Sequence, residues 1–173
     1  MEFELRKATI AEADHLTLLI KEVWEGMEHK EWFAPEEEEG YIRQLIETDT
    51  GVIWTATDTI SNETAGLFIV VYPGKENPDN LGHDLNFSSE ELCKVAHMDT
   101  VAVHPRFRGY GLQRLLVQKA EEELRKSGYR HLLCTVHPDN DFSRSNMEKA
   151  GYRIAKQTLK YGGLPRLIMW KEI

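Results

Sequence analysis

The sequence predicts an α+β chain (mixed α/β), and three observations lead there. Apolar, β-branched runs alternate with stretches whose apolar residues recur every three or four positions. Two such runs, Val52 to Thr57 and Ala65 to Val71, are separated by a polar loop and read as an antiparallel hairpin. A third run, Lys94 to Val103, feeds a glycine-containing loop and then a helical pattern. A length of 173 residues suits a single domain, 1–173, long enough to bury a core.

The elements follow in order. F-E-L-R-K-A opens as a strand with Phe3 and Leu5 on one face. Thr9 with Glu12 is a capping-box pair, and Ala13, Leu16, Ile20, Val23 and Met27 then mark one face of a helix over residues 10 to 27. In A-P-E-E-E-E, proline suits a first helical position and glutamates suit a first turn, so a second helix is expected there. Tyr41, Ile42, Leu45 and Ile46 give it an apolar face ending near Thr48. After the hairpin, Pro73 to Glu91 is a long polar loop in which S-S-E-E-L can cap a short helical turn. The strand from Lys94 puts His97, Asp99, Val101 and Val103 on one face and Met98, Thr100 and Ala102 on the other. Leu112, Leu115, Leu116, Ala120 and Leu124 mark the next helix, closed by Ser127-Gly128. His131 to Val136 is a buried strand, and Asp139 or Asn140 starts a helix that stops at Gly151. Tyr152 to Lys160 and Leu167 to Lys171 are the last strands, turned by Gly162-Gly163.

Composition excludes more than it assigns. A net charge of −8 argues against a nucleic-acid surface; it is compatible with a cationic substrate, though most acidic proteins are acidic for solubility alone. Cys93 and Cys134 lack the paired spacing of a metal site, so no metal is expected. Neither a signal peptide nor an apolar run of roughly twenty residues is found, so a cytoplasmic protein without a membrane partner is expected.

The chemistry concentrates between Met98 and Leu116. A strand that runs through a glycine turn into a helix N-terminus builds an anion site, because first-turn amides converge there and the helix dipole adds to them. Gly109 and Gly111 supply the close approach and the freedom for positive φ, while Arg106 and Arg108 supply charge. Two common phosphate loops do not fit. The dinucleotide fingerprint needs a third glycine where Arg114 stands, and a P-loop needs a lysine followed by serine or threonine. What remains is R-x-x-G-x-G, Arg106 to Gly111, between V-A-V-H-P and L-x-x-L-L.

In this motif the chain resembles the GNAT-type N-acetyltransferases. N-D-F-S-R-S-N-M-E-K-A-G-Y, Asn140 to Tyr152, is similar to a second segment of that family, and E-L-R-K-A-T-I-A-E-A-D to its opening strand and helix. The resemblance implies a GNAT-like twisted mixed sheet of about six to seven strands with helices on both faces. It implies acetyl-CoA as co-substrate, the sheet splaying between the strands that end at Val103 and Val136. The backbone of Val101, Ala102 and Val103 would hold the pantetheine arm and polarise the thioester carbonyl. Amides of Arg108, Gly109, Tyr110, Gly111, Leu112 and Gln113 would cradle the pyrophosphate, with Arg106 and Arg108 adding charge. Asn140 and Ser143 match cofactor-contacting positions, with Asn146 a weaker candidate.

The implied activity is direct acetyl transfer to a primary amine of a small molecule or peptide. Asp99, four residues before Val103 where many relatives carry a carboxylate, is the first candidate for the base, and His97 is the second. The family's acid, a tyrosine four residues before the glycine of E-K-x-G, is replaced by Met147, which donates no proton. No acid is therefore assigned; Tyr110 and Tyr152 are the nearby hydroxyls. The alternative is a non-catalytic acyl-CoA-binding sensor or regulatory module. Trp24, Trp32 and Phe33 either wall an acceptor pocket or simply pack, and His104 and His137 either face the cofactor or are merely solvated. Edge strands near the C-terminus leave a homodimer open.

Overall fold

A computed structural model describes residues 1–33 and 40–173. The expected start of the second helix in A-P-E-E-E-E lies outside the described residues. The strands are β1 (Phe3–Lys7), β2 (Gly51–Asp58), β3 (Thr64–Val71), β4 (Val95–Val103), β5 (His131–Val136), β6 (Arg153–Lys160) and β7 (Leu164–Glu172). The helices are α1 (Ala13–Glu25), α2 (Tyr41–Glu47), α3 (Ser89–Leu92), α4 (Leu112–Lys126) and α5 (Asp141–Lys149). The seven strands form a mixed sheet in the order β1-β2-β3-β4-β5-β7-β6. Among the described residues no helix is long and apolar enough to cross a membrane.

The chain divides into two compact units. The first holds Met1–Glu28, the described residues of Pro35–Val71, and Asp99–Ala120. The second holds the described residues of His29–Ala34, Tyr72–Met98 and Glu121–Ile173. Strand β4 is common to both, changing unit between Met98 and Asp99.

In the first unit β1, β2 and β3 form an antiparallel meander. Ala13, Leu16 and Leu19 of α1 and Ile42 and Leu45 of α2 bury against Ile53, Leu67, Ile69 and Ala102. The predicted Thr9–Glu12 capping box is present, opening a single 3-10 turn, Ile10–Glu12, ahead of α1. Glu12 also receives the Arg6 guanidinium at 2.6 Å, which, with Thr9, holds its carboxyl down at about 2.

In the second unit β4 pairs in parallel with β5 through Val95–His97 and His131–Leu133, and β5 and β6 flank β7 antiparallel. The sequence expected β7 from Leu167, but it begins at Leu164 because its ladder with β6 runs down to the Lys160–Leu164 pair beside the glycine turn. The long loop between β3 and β4 is built rather than loose. Asn80, 1% exposed, donates to the carbonyls of Gly74 and Leu92 and accepts from the Gly82 amide. A 3-10 turn, Leu81–Leu85, follows, and the Ser88–Glu91 capping box starts α3. Leu81, Val95, Leu133 and Ile168 form a core cluster of this unit.

Candidate functional site

The first unit carries the loop and most of the predicted site residues. Along β4 the burial alternates as its parity requires: Met98, Thr100 and Ala102 are buried, while Asp99 is exposed and Val101 and Val103 are partly so. Thr100 Oγ1 donates to Asp99 Oδ2 at 3.2 Å, which helps to orient the carboxylate. Beyond Val103 the amide of His104 donates to the Ala65 carbonyl on β3. The chain then makes a 3-10 turn, Pro105–Phe107, with proline at its start and the His104 ring accepting from the Arg106 amide. Phe107, 3% exposed, is the anchor of this turn and meets Phe3 edge-on.

Gly109 and Gly111 have φ of +88° and +72°, the left-handed region that side chains strain to adopt. A Cβ at Gly109 would meet nothing within 4 Å, and one at Gly111 only the tip of Arg114 at 4.0 Å. Backbone angle, not crowding by the protein, demands glycine here, and the space beside it stays open. Helix α4 follows at once, with Leu115 donating to the Gly111 carbonyl. A helix of 15 residues brings first-turn amides and a full dipole to the end of the loop.

The two arginines part company. Arg106 donates to Glu63 at 3.0 Å and lies 5.7 Å over the Phe107 ring, so its charge braces the loop against the β2–β3 hairpin. Arg108 is exposed beside the glycines. The Tyr110 ring packs edge-on against Phe3 at 5.9 Å. His104 sits 3.6 Å from Glu22 near the end of α1, and Trp24 of α1 is partly buried in the same unit.

The second unit holds the rest. His97 Nε2 accepts the Leu81 amide at 3.0 Å, so the ring is neutral with its proton on Nδ1. Burial, helped by Lys160, lowers its pKa to about 4. That nitrogen is committed to holding the loop, which argues against His97 as the base. Asn140 caps α5, its side chain accepting the Ser143 amide at 3.0 Å, and Asn146 lies further along the helix. Met147 is a core residue at 6% exposure. The Tyr152 hydroxyl donates to Glu121 at 2.9 Å; burial and that carboxylate push its pKa far above the ordinary phenol, so it holds its proton. Cys134 is likewise buried, with its thiol pushed up to about 12.

The end of β5 and the β6–β7 turn assemble a group that sequence reasoning only half saw. Trp32 stacks with His29 at 4.2 Å and with His137 at 6.2 Å, and Phe33 is partly buried beside them in the chain. The His137 ring accepts the Asp139 amide at 3.2 Å. Arg166, 2% exposed, was not singled out; it donates to the carbonyls of Pro165 and Glu31, tying the turn Lys30–Trp32 to β7. Tyr161 stands at φ +53° with its hydroxyl 2.9 Å from Thr135 Oγ1. Only the glycine pair after Tyr161 hinted at this turn, since partners separated by 135 positions, as Glu31 and Arg166 are, leave no local pattern. Among the described residues no group of His, Cys, Asp and Glu is placed to hold a metal ion.

A profile of the acetyltransferase (GNAT) family matches residues 19–152, which include the loop and the α5 segment. The chain is a member of the GNAT acetyltransferase family. Its fold agrees with solved members named as N-acetyltransferases. The structure of NAA60 from Arabidopsis thaliana in complex with acetyl-CoA superposes with a TM-score of 0.75 at 14% identity, over 99% of each chain. The ribosomal-protein-alanine N-acetyltransferase of Brucella melitensis gives 0.72 at 20% identity, over 98% of this chain and 99% of that one. The PaiA N-acetyltransferase of Thermoplasma acidophilum in complex with coenzyme A gives 0.67 at 17%, covering both chains fully. No curated protein matches by sequence.

Proposed function

We propose that this chain acts as a single acetyl-CoA-dependent N-acetyltransferase domain, residues 1–173, transferring acetyl directly to a primary amine of a small molecule or peptide. The observation that carries the reading is the loop itself: two glycines at positive φ, open space where a Cβ would stand, and a 15-residue helix beginning directly after them. Those features suit a pyrophosphate, and the solved neighbours bound to acetyl-CoA and coenzyme A support the choice of co-substrate. Acetyl-CoA supplies the activated acyl group.

The chain's own residues divide the work. Amides from Arg108 to Gln113 bind the pyrophosphate with Arg108 adding charge, while Arg106 shapes the loop through Glu63. The backbone of Val101, Ala102 and Val103 positions the pantetheine, and an amide there stabilises the oxyanion as the amine nitrogen attacks the carbonyl carbon. Asn140 and Ser143 are kept as cofactor contacts through the polar atoms their cap leaves available. Asp99 takes the proton that the amine loses, directly or through water, because it is an exposed, hydroxyl-oriented carboxylate on the cofactor strand. The carbon–sulfur bond breaks last. With Met147 buried and the Tyr152 proton retained, the thiolate leaves to solvent. Both cysteines are free thiols, in keeping with a reducing cytoplasm.

The experiment is an amine panel assayed for CoA thiol release, with products read by mass spectrometry. Amine-dependent release supports the enzyme. Tight acetyl-CoA binding without release for any amine favours the sensor reading, which the missing tyrosine at Met147 keeps in play.

A further inference from the structure

The second unit has a surface cleft of about 690 Å³ that shares no residue with the cofactor loop or with Asp99. Its walls include Asp84, Phe87, Glu91, Arg153, Lys156 and Trp170. Both acids are already engaged. Asp84 is paired with Lys160 and, at 3.7 Å, with Lys156, and Glu91 accepts the Ser88 amide at 2.8 Å in its capping box. The Arg153 guanidinium sits 4.4 Å over the Trp170 ring, and among the described residues it makes no ion pair or hydrogen bond. An arginine held on an aromatic face keeps its planar fork of N–H groups for an anion of matching shape. Phe87 meets Trp170 edge-on at 5.4 Å, so the wall beside that fork is aromatic.

We propose that this cleft is a second ligand site, separate from acetyl transfer, that takes a small carboxylic acid with a flat apolar body. The carboxylate pairs with Arg153, Lys156 adds positive charge from its place beside Asp84, where it donates to the Asp84 carbonyl at 3.3 Å, and the body lies against Phe87 and Trp170. A cation finds both carboxylates taken; an inorganic anion leaves the aromatic wall unused. The volume falls within the range of small-molecule sites, roughly 300–1,000 Å³. Phe87 and Asp84 flank or belong to the Leu81–Leu85 turn, whose first amide holds His97, so an occupant also steadies that turn.

The test is a titration with benzoate, using benzylamine and inorganic phosphate as comparison probes, followed by ¹⁵N NMR of the tryptophan indoles. The chain has four tryptophans, and Trp170→Phe assigns the signal of interest. Benzoate is expected to shift the Trp170 indole saturably, to slow exchange of the Leu81 amide, and to bind about tenfold or more weakly to Arg153→Gln and to Lys156→Gln. The stabilisation of Arg153→Gln by acetyl-CoA stays as in the parent protein. Absence of a saturable shift, parental benzoate affinity in either variant, or affinity for benzylamine or phosphate equal to that for benzoate overturns the proposal.

Discussion

Gly109 and Gly128 form a matched pair that separates ligand binding from backbone strain. Their φ angles are +88° and +85°, and a Cβ at either meets no atom within 4 Å. One precedes α4 in the glycine loop; the other closes α4 at its C-terminus. Alanine at either position takes the same penalty for a left-handed backbone, about 1–2 kcal/mol. For a chain of this size that is a fall in melting temperature of roughly 2–8 °C, equal for the two variants. Only at Gly109 does the new methyl project where the pyrophosphate is proposed to lie. Calorimetric titration with acetyl-CoA should therefore show Gly128→Ala binding like the parent protein and Gly109→Ala binding about tenfold or more weakly, a loss of about 1.4 kcal/mol or more. If Gly109→Ala melts like Gly128→Ala yet binds acetyl-CoA with parental affinity, the loop is not the anion site. If both lose affinity equally, strain alone accounts for the effect.

Three more outcomes follow from the same geometry. Asp99→Asn should lower kcat by about 10²–10⁴ at unchanged acetyl-CoA affinity; unchanged kcat removes Asp99 as the base. His97 titrates at about 4 in the fold against 6.5 ordinarily, so the unfolded chain takes up its proton first as the pH falls. His97 should therefore remove up to about 3 kcal/mol of stability as the pH falls from 6.5 to 4, with His131, also lowered by burial, adding to the fall and Glu12 adding its own loss from about pH 4.5 down to about 2. His97→Gln keeps an acceptor for the Leu81 amide and should flatten the decline, whereas parallel melting curves for the two proteins would defeat the assignment. Tyr152→Phe strips a hydrogen bond from the buried Glu121 carboxylate and should cost about 1–3 kcal/mol of stability while sparing turnover. Loss of kcat at parental stability would restore Tyr152 as an acid.

What could be read from the sequence was what neighbouring residues decide. The glycines at 109 and 111 and the Thr9–Glu12 box depend on backbone geometry within a few positions and are present as expected; the cap in S-S-E-E-L is the Ser88–Glu91 box, and of Asp139 and Asn140 it is Asn140 that caps α5. The alternation along β4 was equally local. The fate of Arg106 was not, because its partner Glu63 stands 43 positions away on another strand pair. His97 and Asp99 share a face and both stood as candidate bases, Asp99 first, yet the loop that takes up the His97 nitrogen folds back from Leu81. Pro73 to Glu91 read as a long polar loop, and its order could not be seen because it rests on Asn80, one side chain satisfying groups at positions 74, 82 and 92. Arg166 was invisible for the same reason: it donates to backbone carbonyls, which carry no signature in side-chain pattern.

The place of β7 bears on how the chain is made. It is the last of the seven strands in chain order, yet it lies between β5 and β6 and pairs with both. Until Leu164–Glu172 leaves the ribosome, β5 keeps one bare edge and β6 has no neighbour to pair with. The first unit, whose β1–β3 meander is complete by Val71, can begin to order while translation continues. The second unit has to wait for β7 and then close its sheet through β5–β7 contacts distant in sequence, the slow kind. Nascent chains stalled before Leu164 are thus the stage at which chaperone dependence and aggregation should concentrate.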